Sequence, residues 1–136
     1  MNIDDYLNMA RQAALRAYCP YSGFHVGCAL VGTDGQVFLG CNIESASYSA
    51  TICAERVAAS ASIAQGVREW DAAFIVSPTS VSPCGVCRQF LFEFAPELKV
   101  YLAALDPASP IQGPIALKEL LPWAGALQQS SIGRKL

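Results

Sequence analysis

Three successive pieces of the chain decide its architecture: Ala72-Ala73-Phe74-Ile75-Val76-Ser77, then Ser82-Pro83-Cys84-Gly85-Val86-Cys87-Arg88-Gln89, then Leu98-Lys99-Val100-Tyr101-Leu102-Ala103. The first and third are short apolar runs that read as strands, the first of them buried. The middle piece opens on Ser-Pro, which predicts a helix start with proline at the first helical position. That helix is expected to run to about Phe94, because Ala95-Pro96 follows. Strands alternating with helices in this way predict a layered α/β domain with a partly parallel sheet.

Working outward, Ile3, Tyr6, Leu7, Ala10, Ala13, Ala14 and Ala17 recur at three- and four-residue spacing. They predict an amphipathic first helix ending near Tyr18-Cys19-Pro20. Phe24 to Val31 and Gln36 to Gly40 are apolar runs on either side of Thr33-Asp34-Gly35, the pattern of a β-hairpin. Asn42 to Ala50 is small and polar and reads as a loop. Thr51 is the expected cap of a second helix, running through Cys53-Ala54-Glu55-Arg56 to Gln65-Gly66. A short helix is expected over Ile115 to Leu121, stopped by Pro122. With no repeat or linker, residues 1–136 read as a single domain.

Composition narrows the function classes. Hydrophobic residues make up 53% of the chain and charged residues 15%, against a usual charged share of about 25%. That excludes a disordered chain and implies that some apolar surface is hidden in an oligomer. Nine Lys and Arg against 11 Asp and Glu give a net charge of −2, which is no field for gripping a phosphate backbone, so no nucleic-acid partner is expected. No apolar run approaches the roughly 20 residues of a membrane span. The acidic start, Met1-Asn2-Ile3-Asp4-Asp5, is not a secretory leader, and a cytoplasmic location is expected. Disulfides are disfavoured there. Cys19, Cys28 and Cys41 then read as packing residues, and the lone His25 as an ordinary strand residue.

The other three cysteines stand in a different context. Cys84-Gly85-Val86-Cys87 alone is either a redox pair or half a metal site. Cysteines three apart on a helix lie on one face, so both sulfurs reach one ion. Cys53 is expected in the first turn of the other helix, where the positive helix end lowers thiol pKa and favours a thiolate. Three thiolates on Zn²⁺ leave a fourth position for water, as in catalytic sites, although a spare cysteine such as Cys41 keeps a closed four-cysteine site possible. Glu55, two residues from Cys53, is placed to exchange protons with a water at the metal. Read alone, it is a first-turn glutamate that favours the helix dipole. Arg56 is either a cation that tempers the thiolate charge or an exposed helix arginine.

With these residues in view, the chain resembles the small, homotetrameric, three-cysteine zinc cytidine deaminase family. Thr51-Ile52-Cys53-Ala54-Glu55-Arg56 and Ser82-Pro83-Cys84-Gly85-Val86-Cys87-Arg88-Gln89 carry the resemblance. It extends through Cys19-Pro20-Tyr21-Ser22-Gly23-Phe24-His25-Val26-Gly27, Gly40-Cys41-Asn42-Ile43-Glu44-Ser45-Ala46-Ser47-Tyr48 and Glu119-Leu120-Leu121-Pro122. The resemblance implies a central mixed five-stranded sheet flanked by helices, and one Zn²⁺ per subunit on Cys53, Cys84 and Cys87. It implies hydrolytic deamination of cytidine and deoxycytidine, in pyrimidine salvage, with Glu55 as the proton shuttle. Asn42 and Glu44 would bind the ribose 3′-hydroxyl and Phe24 would pack on the base. The backbone around Ala54 and Ser82 would read the base edge. Ala46 and Tyr48 would lie near a neighbouring subunit's ribose, in a tetramer with shared active sites. Arg56, Arg88 and Gln89 would support the sulfurs.

The chain departs from the family pattern at Gly125, which stands where an aromatic is expected, and in the small run Val57-Ala58-Ala59-Ser60-Ala61-Ser62. Both suggest a roomier base end that admits N4-substituted cytidines, unless Trp123 fills the gap. The alternatives to cytidine deamination are therefore the same chemistry on a modified cytidine or nucleoside antibiotic, and a non-catalytic zinc-stabilised binding module.

Overall fold

A computed structural model describes residues 1–124. Helix α1 (Ile3–Ala14) leads into strands β1 (Gly27–Gly32) and β2 (Val37–Cys41), then helix α2 (Ala54–Ala64). Strand β3 (Trp70–Ser77), helix α3 (Gly85–Phe92) and strand β4 (Lys99–Ala104) follow, and strand β5 (Gln112–Ala116) with the single-turn helix α4 (Leu117–Leu120) completes the described part. The sheet order is β2-β1-β3-β4-β5. Among the described strands of the sheet only β3 and β4 pair in parallel, in register Ala73 with Val100 and Ile75 with Leu102, because α3 carries the chain across between them. The other pairs are antiparallel, so the sheet is mixed.

Alternation along β1 and β3 assigns two cores. Cys28, Leu30, Ala73 and Ile75 point to one face, beneath Ala54, Ala58, Leu91 and Leu117 of the later helices. Ala29, Val31, Ala72, Phe74 and Val76 point to the other, against Leu7 and Ala10 of α1. Both faces of the central strands are thus covered, which explains their near-continuous apolar runs. Tyr6, Phe74 and Tyr101 stack at 4.8 and 4.7 Å on the α1 side.

Several boundaries differ from the sequence reading. Helix α1 stops at Ala14, three residues before Ala17, and β1 begins at Gly27, leaving Phe24, His25 and Val26 outside the strand. His25 places Nδ1 3.0 Å from the Ala14 carbonyl oxygen, so it ties the hairpin entry to the end of α1. Ile115 and Ala116 belong to β5, not to a helix, and only Leu117–Leu120 is helical. The Asp34-Gly35 turn forms as expected, with Gly35 at φ +89 and Asp34 Oδ1 accepting from the Gln36 N–H at 3.0 Å.

Gly40 sets the height of α2. A Cβ at Gly40 would overlap the Ala54 carbonyl oxygen and crowd Ala58. The small residues of α2 are therefore those a helix needs to lie this close to β2. Near its end, Ser62 Oγ accepts from Trp70 Nε1 and donates to the Val67 carbonyl, both at 2.8 Å. Of the run Val57 to Ser62, Ala58, Ala59 and Ser62 are buried in this packing and Ser60 is exposed, and none of it lines the cavity described next. Gly125 lies outside the described residues.

Candidate functional site

The starts of α2 and α3 meet over the same face of the sheet. Cys53 and Cys84 are the two N-cap residues, both with extended backbone, at ψ 154 and 167. Each stands two positions earlier in its helix than the first-turn placement that Thr51 as cap and Pro83 as first helical residue implied. Thr51 is not the cap of α2: its Oγ1 instead accepts the Ser45 N–H at 3.1 Å, bracing the loop. Neither cysteine side chain makes a capping hydrogen bond, so both sulfurs are free to turn to each other. Cys87 is the third residue of α3 and is buried. N-cap and third-residue side chains face one another at any helix start, the relation used by a capping box.

The three sulfurs lie within 4.8 Å of one another, and those of Cys53 and Cys84 are 3.7 Å apart. Tetrahedral zinc with Zn–S bonds near 2.3 Å requires sulfur pairs about 3.8 Å apart. The donor set therefore fits one zinc ion, with three thiols and room for a fourth ligand. Cys41 does not join this cluster, and among the described residues no other group of three possible ligands forms. Cys28 and Cys19 are buried as packing residues and Cys41 is half-buried.

Arg56, one turn along α2, brings Nη2 to 3.6 Å from the Cys53 sulfur. The Cys53 thiol is pulled down to about 5, chiefly by its hydrogen bond with Cys87 and then by Arg56 and Cys84, against the opposing effect of burial. Cys87 is pushed far up by the same hydrogen bond, so of the pair Cys53 gives up its proton first. Glu55 is the second residue of α2, only 4% exposed, and its carboxyl is raised to about 7, chiefly by burial.

A cavity of about 290 Å³ lies against Cys53 and Cys84 and is lined by Ser22, Phe24, Val26, Asn42, Glu44, Thr51, Ala54, Glu55, Ile75, Val81 and Ser82 as well. A wider cleft of about 910 Å³ adjoins it through Ser22, Glu44, Thr51, Cys53 and Cys84, and carries Ala46, Tyr48 and Arg56 on its walls. Ala46 and Tyr48 are exposed and reach the cleft but not the cavity. Asn42 is buried, accepting the Val26 N–H on Oδ1 at 2.9 Å and donating from Nδ2 to the Phe24 carbonyl at 2.8 Å. Glu44 Oε1 accepts the backbone N–H groups of Tyr21 and Ser22 at 3.0 and 3.1 Å, and the Ser22 hydroxyl donates to Oε2. These bonds, the hydroxyl foremost, hold the Glu44 carboxyl below its usual range.

Arg88 acts on the backbone instead of the sulfurs. It donates to the Pro83 carbonyl at 2.7 Å, and to the Leu120 carbonyl and Ser82 Oγ at 2.8 Å each. Gln89 is exposed and makes no hydrogen bond to a sulfur among the described residues. Trp123 is fully exposed, at φ +57, and does not line the cavity. Ser22, Val26, Thr51, Ile75 and Val81 line the cavity without having been singled out for it. Of these, Ser22, Val26 and Thr51 stood in segments that carry the resemblance, Ile75 was read only as strand, and Val81 stood in no segment with a signal.

A mixed sheet with metal-binding thiols at two helix starts, beside a buried glutamate, defines the zinc deaminase class. Residues 1–103 match the family model of the cytidine and deoxycytidylate deaminase zinc-binding region. The chain is 48% identical over 118 residues to the cytidine deaminase of Halalkalibacterium halodurans, covering 85% of this chain and 87% of the relative. It is 44% identical over 108 residues to that of Sporosarcina psychrophila, covering 77% and 79%. The crystal structure of cytidine deaminase from Burkholderia pseudomallei matches with a TM-score of 0.85 at 40% identity, over 92% of this chain and 100% of that one. The chain belongs to the cytidine deaminase family.

Proposed function

We propose that the protein hydrolyses cytidine and deoxycytidine to uridine and deoxyuridine with release of ammonia, as a step of pyrimidine salvage in the cytoplasm. One observation carries the reading: the buried Glu55 lines the same cavity as Cys53 and Cys84, so a proton-transferring group and the metal-binding sulfurs face one volume. Zinc held by Cys53, Cys84 and Cys87 supplies a Lewis acid that makes a water acidic at neutral pH.

The remaining work falls to the chain. Glu55, poised near neutrality, takes a proton from the attacking water and delivers it to the pyrimidine N3 as the new C4–O bond forms. The same carboxyl then passes the second water proton to the exocyclic nitrogen as the C4–N4 bond breaks and ammonia leaves. Burial keeps this carboxyl from being held permanently ionised, which suits a group that must both take and give a proton. Phe24 packs on the base, while the backbone at Ala54 and the region of Ser82 meet its polar edge. Asn42 and Glu44 bind the ribose 3′-hydroxyl, each with hydrogen-bonding capacity left after the contacts above. A site built from such paired polar groups rejects an analogue lacking the hydroxyl more strongly than an apolar pocket does.

Arg56 lies against Cys53 and tempers the charge of the thiolates. Tyr18, Ile43 and Ile52 are joined by backbone bridges and all exposed, and Tyr48 stands 91% exposed beside the cleft. This apolar surface supports a homo-oligomer, which we read as a tetramer in which Ala46 and Tyr48 approach a neighbour's site. The test is ammonia release from cytidine by zinc-loaded protein, with Glu55→Gln alongside. The wild type is expected to turn over, and the variant to lose on the order of 10³-fold or more in kcat. Undiminished turnover in Glu55→Gln would assign the proton transfers elsewhere.

A further inference from the structure

Glu44 does not hold its own orientation; Ser22 holds it. The Ser22 hydroxyl donates to Glu44 Oε2 and accepts the Phe24 backbone N–H at 3.0 Å. A backbone N–H only donates and a carboxylate only accepts, so this hydroxyl has a single orientation. The bonds run in one direction, from Phe24 through Ser22 to Glu44, and such chains polarise one another. Oε1 of the same carboxylate is filled by the N–H groups of Tyr21 and Ser22. A carboxylate offers about four acceptor positions, and three are taken. The one left open is on Oε2, and the Ser22 bond decides which way it points. Ser22 and Glu44 both line the cavity and the cleft. Asn42 closes the arrangement from the other side by holding the Phe24 carbonyl and the Val26 N–H.

We propose that Ser22 is a positioning residue for nucleoside recognition: it aims the single open acceptor of Glu44 at the sugar hydroxyl and ties that aim to Phe24 on the wall of the cavity. The proposal rests on the reading of Glu44 as a ribose-binding residue. Without the Ser22 hydroxyl the carboxylate keeps only the two N–H bonds on Oε1, and Oε2 is left to tilt and to spend its acceptors on water. Recognition of the sugar hydroxyl then weakens while Phe24 loses the partner of its N–H. Neither effect touches the sulfurs or Glu55; the change at Phe24 weighs on both nucleosides alike, and the change at Glu44 shows in the preference for the sugar hydroxyl.

The experiment compares kcat/KM for cytidine and 3′-deoxycytidine in the zinc-loaded wild type, Ser22→Ala, Ser22→Cys, Ser22→Thr, Glu44→Gln and the double variant Ser22→Ala/Glu44→Gln. Zinc content and thermal unfolding are followed in each. The preference for cytidine over 3′-deoxycytidine is expected to fall on the order of tenfold in Ser22→Ala, as expected for one hydrogen bond to a charged group. Ser22→Thr keeps the hydroxyl and is expected to keep the preference. The double variant is expected to lose no more than Glu44→Gln alone, because Ser22 acts through Glu44. If Ser22→Ala fails to fold, Ser22→Cys decides, since it keeps the shape with a much weaker donor. An equal loss on both substrates, leaving the preference unchanged, makes Ser22 merely structural and overturns the proposal. If Glu44→Gln itself leaves the preference unchanged, the ribose reading of Glu44 falls, and this inference with it. If Glu44→Gln abolishes the preference and Ser22→Ala does not, only the inference falls.

Discussion

Helix α1 and the pair α2 and α3 begin with the same backbone geometry and opposite chemistry. At α1, Asn2 caps: its Oδ1 accepts the Asp5 N–H at 2.9 Å, and Asp5 Oδ2 accepts the Asn2 N–H at 3.0 Å. That start satisfies itself with oxygen acceptors. At α2 and α3 the cap positions hold Cys53 and Cys84, whose sulfurs cap nothing. Cys84 and Cys87 occupy the two positions that Asn2 and Asp5 occupy in α1. A capping box is thus a ready-made pair of convergent ligands once its oxygens are replaced by sulfur, because N-cap and third-residue side chains already point at one spot. What the exchange costs is local closure, since the first N–H groups of α2 and α3 lose a side-chain acceptor. Negative sulfur at a positive helix end offsets part of that loss.

The contrast can be broken most forcefully at Cys87. Cys87→Ala is expected to bring bound zinc from one per chain to well below one, and to lower kcat by roughly a thousandfold or more. Metal analysis and ammonia release check both, and retention of one tightly held zinc would show that two sulfurs suffice. The same cut at the self-contained helix start is expected to be mild. Asn2→Ala should lower the unfolding free energy by about 1 kcal/mol with zinc content and turnover unchanged, as read from denaturant unfolding. A change in turnover would mean that α1 is coupled to the site through the sheet.

The smallest expected effect separates the two acids of the α2 start. In zinc-free protein, the folded-state pKa of Glu55 is raised to about 7, so it lends stability below its ordinary value and that stability is lost as pH rises through 7. Cys53 is lowered to about 5, so its contribution is present at high pH and is lost as pH falls through 5. Between pH 5 and 7 the two oppose each other. Glu55→Gln removes the first, and the zinc-free variant is expected to gain stability with rising pH more steeply than the zinc-free wild type. Parallel profiles of unfolding midpoint against pH would contradict the opposed titrations.

The same contrast explains what could be read from the sequence. The crossover from β3 through α3 to β4 was legible because two short apolar runs flank a Ser-Pro helix start. The hairpin was legible because Asp34-Gly35 carries its own turn geometry. The helix starts were misplaced by two residues because the reading used oxygen-cap and proline rules, favouring Thr51 and Pro83, where sulfur stands at the cap itself. Strand β5 was hidden in the run of residues because Gly113 and Pro114 interrupt it and its first three residues are exposed, as on an edge strand. The Cys-x-x-Cys pair was visible as a motif. Its meeting with Cys53, 31 residues before Cys84, depends on α2 lying close on β2 at Gly40. The small residues of α2 looked like spare room in a pocket and turned out to be the means of that approach. Arg88 was taken for a support of the sulfurs because the family resemblance implies it. On a helix, adjacent residues face different ways, and Arg88 turns to the loop and to α4.

Two of the three anchors of Arg88 are main-chain oxygens, those of Pro83 and Leu120. A carbonyl is the same whatever side chain its residue carries. The staple that fixes the cavity loop to the end of α4 is therefore blind to the identity of residue 120. What residue 120 contributes besides is apolar packing against the core, so another apolar side chain there can replace leucine without loosening the loop.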